Sequence, residues 1–558
     1  MRKLFNFFAA ALVMLAAASC EKNEVLPDNN SEGKIVTLKA SINNGGTKTS
    51  LGPGVQEGSN PIQYPVYWSE NDAIAVIQGE GEETKIFKFV LQGQGKTAEG
   101  EFQLEVYDEC DYTLEENAFN ASAEIHAFYP FEGISLNNDG SINYTVPATQ
   151  TYTTTVVNEV VCSTFGNGVS PMAAYAGNAA DGLSFENLFG VLKLQLKGAE
   201  NEKVFGIEII SDNSLKGNAQ LTIGNASNSI SLTGTESSDK KVILKCEKGV
   251  SLSPDTKTDF LVALPANATN LKVLIHTNVG SYTKDIPVLN TNKIVAGQIR
   301  LMPELILGTN VAPIIYMENG ASLGNGIAIP NSDGTFTIWA PVNCGYEPAN
   351  ENYKGYPYGK LYQWGRKDGQ GYYRDGHPED ATKPVIVVGT ITWENYVAGN
   401  NSNFFFKVTT DNTSDWLSAP KSDLWGNGTK TIHDPCPDGW RVPTIAELEA
   451  LALNYRYDSN KGYWFSGKNT CDGNYPRIFL QFAGYHKFDL EVGSSRGEAG
   501  YYWSSTADDD YSKPFVFSKS INSSSAIYIN CKRTARASGH SVRCVKDMTQ
   551  SQPMPGSN

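Results

Sequence analysis

Cys20 stands at a position where exported bacterial proteins can receive a lipid. Arg2 and Lys3 precede an apolar run, residues 4–18, and small residues follow directly before the cysteine. This pattern is typical of an export signal, and the run is shorter than the roughly 20 apolar residues that span a bilayer. We therefore expect residues 1–20 to be a lipoprotein signal peptide whose cleavage leaves a diacylated Cys20. The alternative is an ordinary secretory signal with an incidental cysteine.

The other cysteines could form disulfides, because the exported setting permits them. Nine cysteines minus Cys20 leave eight, and eight allow too many pairings for spacing alone to assign any. They are Cys110, Cys162, Cys246, Cys344, Cys436, Cys471, Cys531 and Cys544.

The sequence contains no recognisable catalytic motif. The six histidines show no zinc-protease spacing, and no Gly-x-Ser-x-Gly elbow or phosphate-binding loop accompanies them. We therefore expect no enzyme, no catalytic residue, no bound metal and no cofactor, although dispersed carboxylates could still meet as a glycosidase pair in the fold. Asp508, Asp509 and Asp510 could offer oxygen ligands to a cation, but we interpret them as a solvated acidic turn.

Aromatic rings in a glycine-rich stretch form the candidate ligand site. Exposed tyrosines could stack on a sugar or a peptide, whereas most aromatic side chains fill cores and interfaces. The stretch contains Tyr353, Tyr356, Tyr358, Tyr372 and Tyr373. Of these, Tyr356, Tyr358, Tyr372 and Tyr373 are the candidate ligand-binding residues.

Charge and composition restrict the class of protein. The 558 residues carry a formal net charge of −15, which argues against nucleic-acid binding because phosphates need concentrated Lys and Arg. The use of arginine and tryptophan changes near residue 305. No arginine lies between Lys3 and Ile299, and Trp68 is the single tryptophan before Trp339. Two usages in one chain indicate modules of different origin, with residues 304–319 as a linker between them.

Side-chain periodicity favours β structure in the first part of the chain. Apolar and polar residues alternate, as in half-buried strands, in residues 36–42, 192–197 and 271–275. Continuous apolar runs, which predict strands nearer a core, occupy residues 73–77, 205–210 and 260–264. This part shows no long amphipathic helix, so a sandwich architecture is expected.

The second part contains one well-marked helix start. Thr444, followed three residues later by Glu447, forms a capping box. Apolar residues then recur on one face at helical spacing. The pattern predicts a helix from Thr444 to about Leu453 that packs this face on a core.

Four motifs of the first part resemble the fimbrillin family of Bacteroidales cell-surface and pilus proteins. They are residues 47–49 (TKT), 66–74 (VYWSENDAI), 126–130 (HAFYP) and 185–192 (FENLFGVL). The resemblance covers about residues 35–303. It implies a mostly β fold with two transthyretin-like β-sandwich modules, residues 35–170 and 171–303.

The same resemblance implies a mode of assembly. In fimbrillins that polymerise, an Arg-specific protease removes an N-terminal strand, and the next subunit fills the groove by strand addition. The arginine-free span from Lys3 to Ile299 offers no such cut, unless a lysine such as Lys48 serves instead. The tail, residues 548–558, lacks the alternation of a donor strand. A pilus tip or a stand-alone lipoprotein is therefore expected.

The second part resembles the Fibrobacter major paralogous domain family over about residues 320–547. The motifs are residues 362–367 (YQWGRK), 436–444 (CPDGWRVPT), 501–506 (YYWSST) and 541–545 (SVRCV). This resemblance implies a C-type-lectin-like α+β domain in which Cys436 pairs with Cys544. Calcium-mediated sugar binding is in doubt, because residues 347–350 (EPAN) and 503–505 (WSS) depart from the lectin motifs. Cys471 could pair with Cys531.

Together, these features predict a protein exposed on the cell outer membrane. The lipid on Cys20 would anchor it through a flexible tether, residues 21–34, and residues 548–558 would form a disordered tail. We expect an adhesin of the fimbrium or cell surface whose C-terminal domain binds a glycan or a surface protein, with other pilus subunits as further partners. The alternative is a stand-alone lipoprotein that captures carbohydrate for nutrient uptake.

Overall fold

The structure is a computed structural model, and all elements described here belong to the unit of residues 37–558. The predicted signal peptide, Cys20, the tether and all but the first residue of the predicted tail lie outside the described residues. No helix in the described part of the chain is long and apolar enough to cross a membrane. The described residues are 36–42, 50–51, 66–105, 119–157, 159–166, 168–266, 268–287, 293–348, 355–399, 403–408, 414–458, 461–509, 511–519 and 533–548.

The first module is a closed barrel of seven strands. Its N-terminal strand, Thr37–Ile42, pairs antiparallel with Glu99–Leu104 and parallel with Leu183–Asn187, and these two pairings close the barrel. Trp68 is fully buried inside, in edge contact with the Phe102 ring at 4.9 Å. In barrel order the strands are Thr37–Ile42, Leu183–Asn187, Met172–Ala176, Ile125–Tyr129, Ala73–Gln78, Lys85–Leu91 and Glu99–Leu104. A small sheet contains Ser50–Leu51, Val66–Ser69 and Gly95–Thr97.

The strand pairing corrects the predicted division between residues 170 and 171. Met172–Ala176 and Leu183–Asn187 lie after that point but complete the first barrel. Conversely, Ile142–Val146 lies before it but pairs with Gly217–Thr222 of the second module. The two modules therefore share chain segments, because their strands pair with partners that are distant in sequence.

The second module is built from two sheets that contribute to one apolar core, with a smaller sheet and a hairpin beside them. The predicted strands at residues 192–197, 205–210, 260–264 and 271–275 all form in these two sheets. The six-stranded sheet has the order Thr149–Thr151, Lys241–Ser251, Lys203–Ile210, Leu271–Thr277, Ser281–Ile286 and Ala312–Pro313. The facing sheet contains Thr258–Pro265, Phe189–Lys197, Ile299–Leu301 and Leu305–Ile306. The smaller sheet contains Ser229–Leu232, Gly217–Thr222, Ile142–Val146 and Ile134–Leu136, and the hairpin contains Thr153–Val157 and Val160–Thr164.

The predicted linker, residues 304–319, is incorporated into sheets. Leu305–Ile306 pairs with Phe189–Lys197, and Ala312–Pro313 pairs with Ser281–Ile286. Val311 is fully buried in the core of the second module. This stretch is therefore structural and not a flexible linker, because its apolar side chains fill the second module.

The described part of the C-terminal domain contains several small sheets and two short α-helices, Trp393–Ala398 and Ile445–Leu451. Its largest sheet contains Gly493–Ser494, Tyr485–His486, Gly539–Ser541, Ala499–Asp508, Tyr511–Ser518, Thr534–Ala535 and Leu361–Gln363. A four-stranded sheet contains Ile327–Pro330, Phe336–Trp339, Val545–Lys546 and Trp440–Arg441. The remaining strands are Ile315–Glu318 with Ala321–Asn325, Val385–Val388 with Phe404–Lys407, and Tyr455–Asp458 with Gly462–Phe465 and Ile478–Gln481. The single 3-10 turns in the described residues are Gly81–Glu83, Ala179–Asp181, Ser237–Lys240 and Gly426–Gly428.

The predicted capping box is present. The Thr444 hydroxyl accepts the Glu447 backbone N–H at 3.3 Å, and the Glu447 carboxylate accepts the Thr444 backbone N–H at 2.8 Å. The helix, Ile445–Leu451, is slightly shorter than predicted, since Ala452 already leaves helical geometry. Its buried side chains, Leu448 and Leu451, face the core as expected. The prediction of a mostly β chain is confirmed, and the lectin-like type of the C-terminal domain stays a prediction.

The C-terminal domain packs directly on the six-stranded sheet of the second module. Gly206 leaves room for the Phe336 ring, since a Cβ at residue 206 would lie 2.4 Å from it. Phe336 also lies against the buried His276 ring at 4.8 Å. Phe205 meets Tyr475 at 5.3 Å between ring centroids. The domain is thus held against the second module by aromatic contacts.

Candidate ligand-binding site

Three of the four candidate tyrosines line one surface pocket. Tyr356 and Tyr358 precede the strand Leu361–Gln363, and Tyr372 follows it. A return of the backbone brings these segments together, because Leu361 and Gln370 exchange backbone hydrogen bonds of 2.8 Å. Other lining residues are Glu379, Ala381 and Arg496.

Arg496 is the centre of this pocket. Its guanidinium carbon lies 4.5 Å from the ring centroid of Tyr358 and 4.8 Å from that of Tyr372. A guanidinium over an aromatic face is attracted by the ring quadrupole, and each contact also restricts the arginine side chain. The two rings therefore hold the guanidinium in place at the surface.

The carboxylate of Asp380 forms ion pairs with two arginines. One of its oxygens accepts Arg496 Nη1 at 2.5 Å, and the other accepts Arg374 Nε at 2.8 Å. The Asp380 side chain is fully buried, whereas the side chains of Arg374 and Arg496 are 33% and 16% exposed. The buried carboxylate thus orients both arginines towards the surface. We call Tyr358, Tyr372, Arg374, Asp380 and Arg496 the tyrosine–arginine cluster.

Close backbone contacts fix the ring of Tyr372. A Cβ at Gly484 or at Gly493 would lie 2.7 or 2.6 Å from the ring, so only glycine fits at both positions. The Tyr372 hydroxyl accepts the Arg496 backbone N–H at 3.4 Å. Burial raises the pKa of Tyr372, which keeps the phenol neutral at physiological pH. This tyrosine is a structural floor of the pocket more than an exposed platform.

His486 supports the neighbouring Tyr373 from the interior. Its Nε2 accepts the Tyr373 backbone N–H at 3.3 Å, which requires a neutral imidazole. Complete burial lowers the pKa of His486 to about 4. The Tyr373 side chain itself is partly exposed, and its hydroxyl donates to Asp375 at 2.5 Å. Tyr373 lies outside the pocket lining, at the end of the same segment.

The charges of the pocket balance. Arg374 also pairs with Glu379 at 3.3 Å, so two arginines face two carboxylates, Asp380 and Glu379. Glu379 is 61% exposed and can accept hydrogen bonds from a ligand. Lys360 lies 4.9 Å from the Tyr356 ring centroid. The surface therefore offers aromatic rings with donors and acceptors but no strong excess of one charge, which suits a neutral, hydroxyl-rich ligand.

The remaining predicted positions lie elsewhere. Cys436 and Cys544 form the disulfide that the Fibrobacter resemblance implied, with sulfurs 2.10 Å apart. Asp508 and Asp509 pair with Arg533 at 3.0 and 2.7 Å. Tyr353, Asp510, Cys110 and Cys531 lie outside the described residues.

Sequence reasoning missed Arg496 and Asp380. They are 116 positions apart, and neither belongs to a motif. The sequence contains one weak signal for Arg496. After Arg2, arginines occur only from residue 300 onward, in the part of the chain that contains Arg496. The pairing of Arg496 with Tyr372, 124 positions away, has no local signature.

A comparison with known families identifies the C-terminal part. Residues 310–546 match the Fibrobacter succinogenes major domain. The predicted Fibrobacter major paralogous domain is thereby confirmed, and the match includes the disulfide and the tyrosine–arginine cluster. No curated protein matches the chain.

Several solved structures are similar to the chain. A fimbrial protein from Bacteroides ovatus is 11% identical, with 91% of this chain and 99% of that chain covered and a TM-score of 0.20. A cell adhesion protein from Bacteroides uniformis is 15% identical over 50% of this chain and 94% of that chain, with a TM-score of 0.29. A second Bacteroides ovatus structure, described as a cell adhesion protein, is 12% identical over 44% and 85%, with a TM-score of 0.27.

Proposed function

We propose that the chain is a cell-surface adhesin that binds a neutral glycan through the tyrosine–arginine cluster. The observation that carries the proposal is the fixed guanidinium of Arg496 at the surface, held between Tyr358 and Tyr372 and bonded to the buried Asp380. Pre-organised aromatic and arginine side chains are the residues that dominate binding energy at protein surfaces. Holding them rigid before binding reduces the entropy that binding would otherwise cost.

Sugar rings carry apolar faces and many hydroxyls, and the surface around the pocket offers contacts for both. The cavity itself is about 10 Å³, room for about one water, so a glycan would lie across its rim. Tyrosine rings offer apolar surface, while Arg496 donates and the exposed Glu379 carboxylate accepts hydrogen bonds. The balanced charge of the pocket favours neutral sugars over acidic ones, since an added carboxylate would meet the exposed carboxylate of Glu379.

A glycan array tests this proposal with the mature chain without its lipidated Cys20, from residue 21 onward. We expect specific signals for the wild type and their loss for Arg496→Ala. The matched control is Arg533→Ala, because Arg533 also lies over a tyrosine ring, Tyr511 at 5.2 Å, but outside the pocket. Equal array signals for wild type and Arg496→Ala would contradict the proposal. Binding to soluble nutrient polysaccharides instead of surface glycans would favour carbohydrate capture over adhesion.

We further propose that the lipid on Cys20 anchors the chain at the cell outer membrane, either at a pilus tip or alone. Palmitate labelling of the wild type and of Cys20→Ala tests the lipid, and protease shaving of whole cells tests surface exposure. Recovery of the chain in sheared pili would favour the tip, whereas recovery in the outer membrane alone would favour the stand-alone lipoprotein.

A further inference from the structure

A third cysteine lies beside the disulfide of the C-terminal domain. The sulfurs of Cys344, Cys436 and Cys544 all lie within 4.8 Å of one another, and all three residues are buried. The backbone brings them together, since Cys344 N–H donates to Val542 O and Ala340 N–H donates to Cys544 O, both at 2.9 Å. We propose that these three sulfurs, with the carboxylate of Glu318, bind a zinc ion when the disulfide is reduced.

The spacing of the sulfurs suits a metal. Zinc binds cysteine sulfur at about 2.3 Å, so two sulfurs on one tetrahedral zinc lie about 3.8 Å apart. The Cys344 sulfur lies no more than 4.8 Å from either sulfur of the disulfide, so a small movement brings it to this spacing. Reduction frees Cys436 and Cys544 to separate from their bonded distance towards the same spacing.

Glu318 lies beside Cys344 and is the candidate fourth ligand, although only the three cysteine sulfurs already lie within 4.8 Å of one another. Its Oε1 lies 3.6 Å from Cys344 Sγ and accepts the Gly345 backbone N–H at 2.8 Å. Three thiolates with one carboxylate complete a tetrahedral set of the ligand types that zinc takes in proteins.

Two tyrosine hydroxyls surround these ligands. Tyr362 donates to Cys344 Sγ at 3.3 Å, and the Tyr316 hydroxyl lies 3.5 Å from Cys544 Sγ and donates to Glu318 Oε2 at 3.1 Å. Hydrogen bonds of this kind orient metal ligands and adjust their basicity. The site is therefore ordered around the sulfurs and the carboxylate, as a metal centre requires.

Zinc binding is linked to proton release. Coordination deprotonates a thiol, so each cysteine that binds zinc releases one proton to solvent.

Disulfide and zinc would exclude each other. A dithiol such as dithiothreitol delivers two electrons and two protons to the Cys436–Cys544 bond and is itself oxidised to a cyclic disulfide. The two new thiols, with Cys344, are then available to the metal. The zinc site goes beyond the proposed glycan binding and does not depend on it, because none of its ligands belongs to the tyrosine–arginine cluster.

Metal titration of the full mature chain tests the site. The chain is reduced with dithiothreitol without oxygen, freed of reductant, and titrated with Cd²⁺, whose bonds to thiolates absorb in the ultraviolet; Zn²⁺ is then used in competition with a chromophoric chelator. We expect one tightly bound ion per reduced chain and none per oxidised chain. Zinc should also protect Cys344, Cys436 and Cys544 from alkylation, as mass spectrometry of the labelled peptides would show.

Variants assign the ligands. Cys344→Ser and Glu318→Gln should each weaken zinc binding at least about 10-fold, because loss of an outer-shell partner already costs about 10- to 100-fold. Cys471→Ser, a control outside the cluster, should not change it. Circular dichroism of each variant shows whether it is folded. If Cys344→Ser does not fold, Glu318→Gln and the alkylation pattern decide. Equal zinc affinity for wild type and folded variants, or unprotected Cys344 in the zinc-loaded chain, would overturn the proposal.

Discussion

The buried carboxylate of Asp380 lies 2.5 Å from Nη1 of Arg496, on a segment 116 residues earlier in the chain. This contact joins two loops of the C-terminal domain and places the arginine between two tyrosine rings. A buried carboxylate with two arginine partners is costly to disturb, because removing it leaves both guanidinium groups without their main anion.

Replacing Asp380 should therefore destabilise the domain. Asp380→Asn keeps the shape but removes the charge that both Arg374 and Arg496 contact. We expect a loss of about 2–4 kcal/mol in the free energy of unfolding, measured by urea denaturation. Asp375→Asn, at an exposed position, should change stability by less than about 0.5 kcal/mol. Equal midpoints for the two variants would refute this role of Asp380.

Acid should weaken the fold through its buried histidines. The pKa of His486 is about 4 and that of His540 about 3, both lowered by burial from an ordinary 6.5. Below about pH 6.5 the unfolded chain takes up protons that the folded chain does not. The free energy of unfolding should therefore fall as the pH drops from 6.5 towards 4, by up to about 1.4 kcal/mol per pH unit for each histidine.

The His486→Gln substitution tests the contribution of His486 alone to this pH dependence. Glutamine can still accept the Tyr373 N–H bond but does not titrate in this range. Urea denaturation at several pH values should show a shallower slope for the variant than for the wild type between pH 6.5 and 4. Parallel slopes would mean that His486 already binds its proton in the folded state.

The disulfide should be a major source of stability in the C-terminal domain. Its cysteines are 108 positions apart, and closing a loop of about 100 residues contributes roughly 4.7 kcal/mol in a chain-entropy model. We expect Cys436→Ala with Cys544→Ala to lower the free energy of unfolding by about 2–5 kcal/mol in urea denaturation. Cys471→Ala, as the control, should have a much smaller effect, and a similar loss for both proteins would contradict the prediction.

The contact between Gly206 and Phe336 should couple the second module to the C-terminal domain. Gly206→Ala brings a Cβ within 2.4 Å of the ring and should cost about 1–3 kcal/mol. Phe336→Leu in the same chain should recover part of this loss, because the smaller side chain leaves room. The measurement is a double-mutant cycle by urea denaturation. Strict additivity would show that the two residues do not contact in solution.

Local sequence patterns predicted local structure well. The capping box of Thr444 and Glu447 and the alternation in Thr37–Ile42 depend on neighbouring residues, and both appear in the structure. Leu271–Thr277 forms a strand as predicted, but it is buried on both faces and not on one. The predicted module boundary at residue 170 and the predicted linker at residues 304–319 were wrong. Both depend on which distant strands pair, such as Thr37–Ile42 with Leu183–Asn187, and periodicity does not encode partners.

The site shows the same limit. Composition pointed to tyrosines near residues 356–373, and three of the four named rings do share a pocket. The residues that fix them, Asp380 and Arg496, are brought in by the fold. The position of Cys344 beside the disulfide could not be predicted either, since contacts with residues distant in sequence, such as the backbone bond to residue 542, place it there.

Titration calorimetry of the mature chain with its strongest array glycan tests the central claim most directly. We predict that Arg496→Ala raises the Kd at least about 10-fold, or about 1.4 kcal/mol, while Arg533→Ala leaves the Kd unchanged. The unfolding midpoint of each variant, measured at the same pH, shows whether that variant is folded. An unchanged Kd for a folded Arg496→Ala chain would contradict the assignment of the tyrosine–arginine cluster as the ligand site.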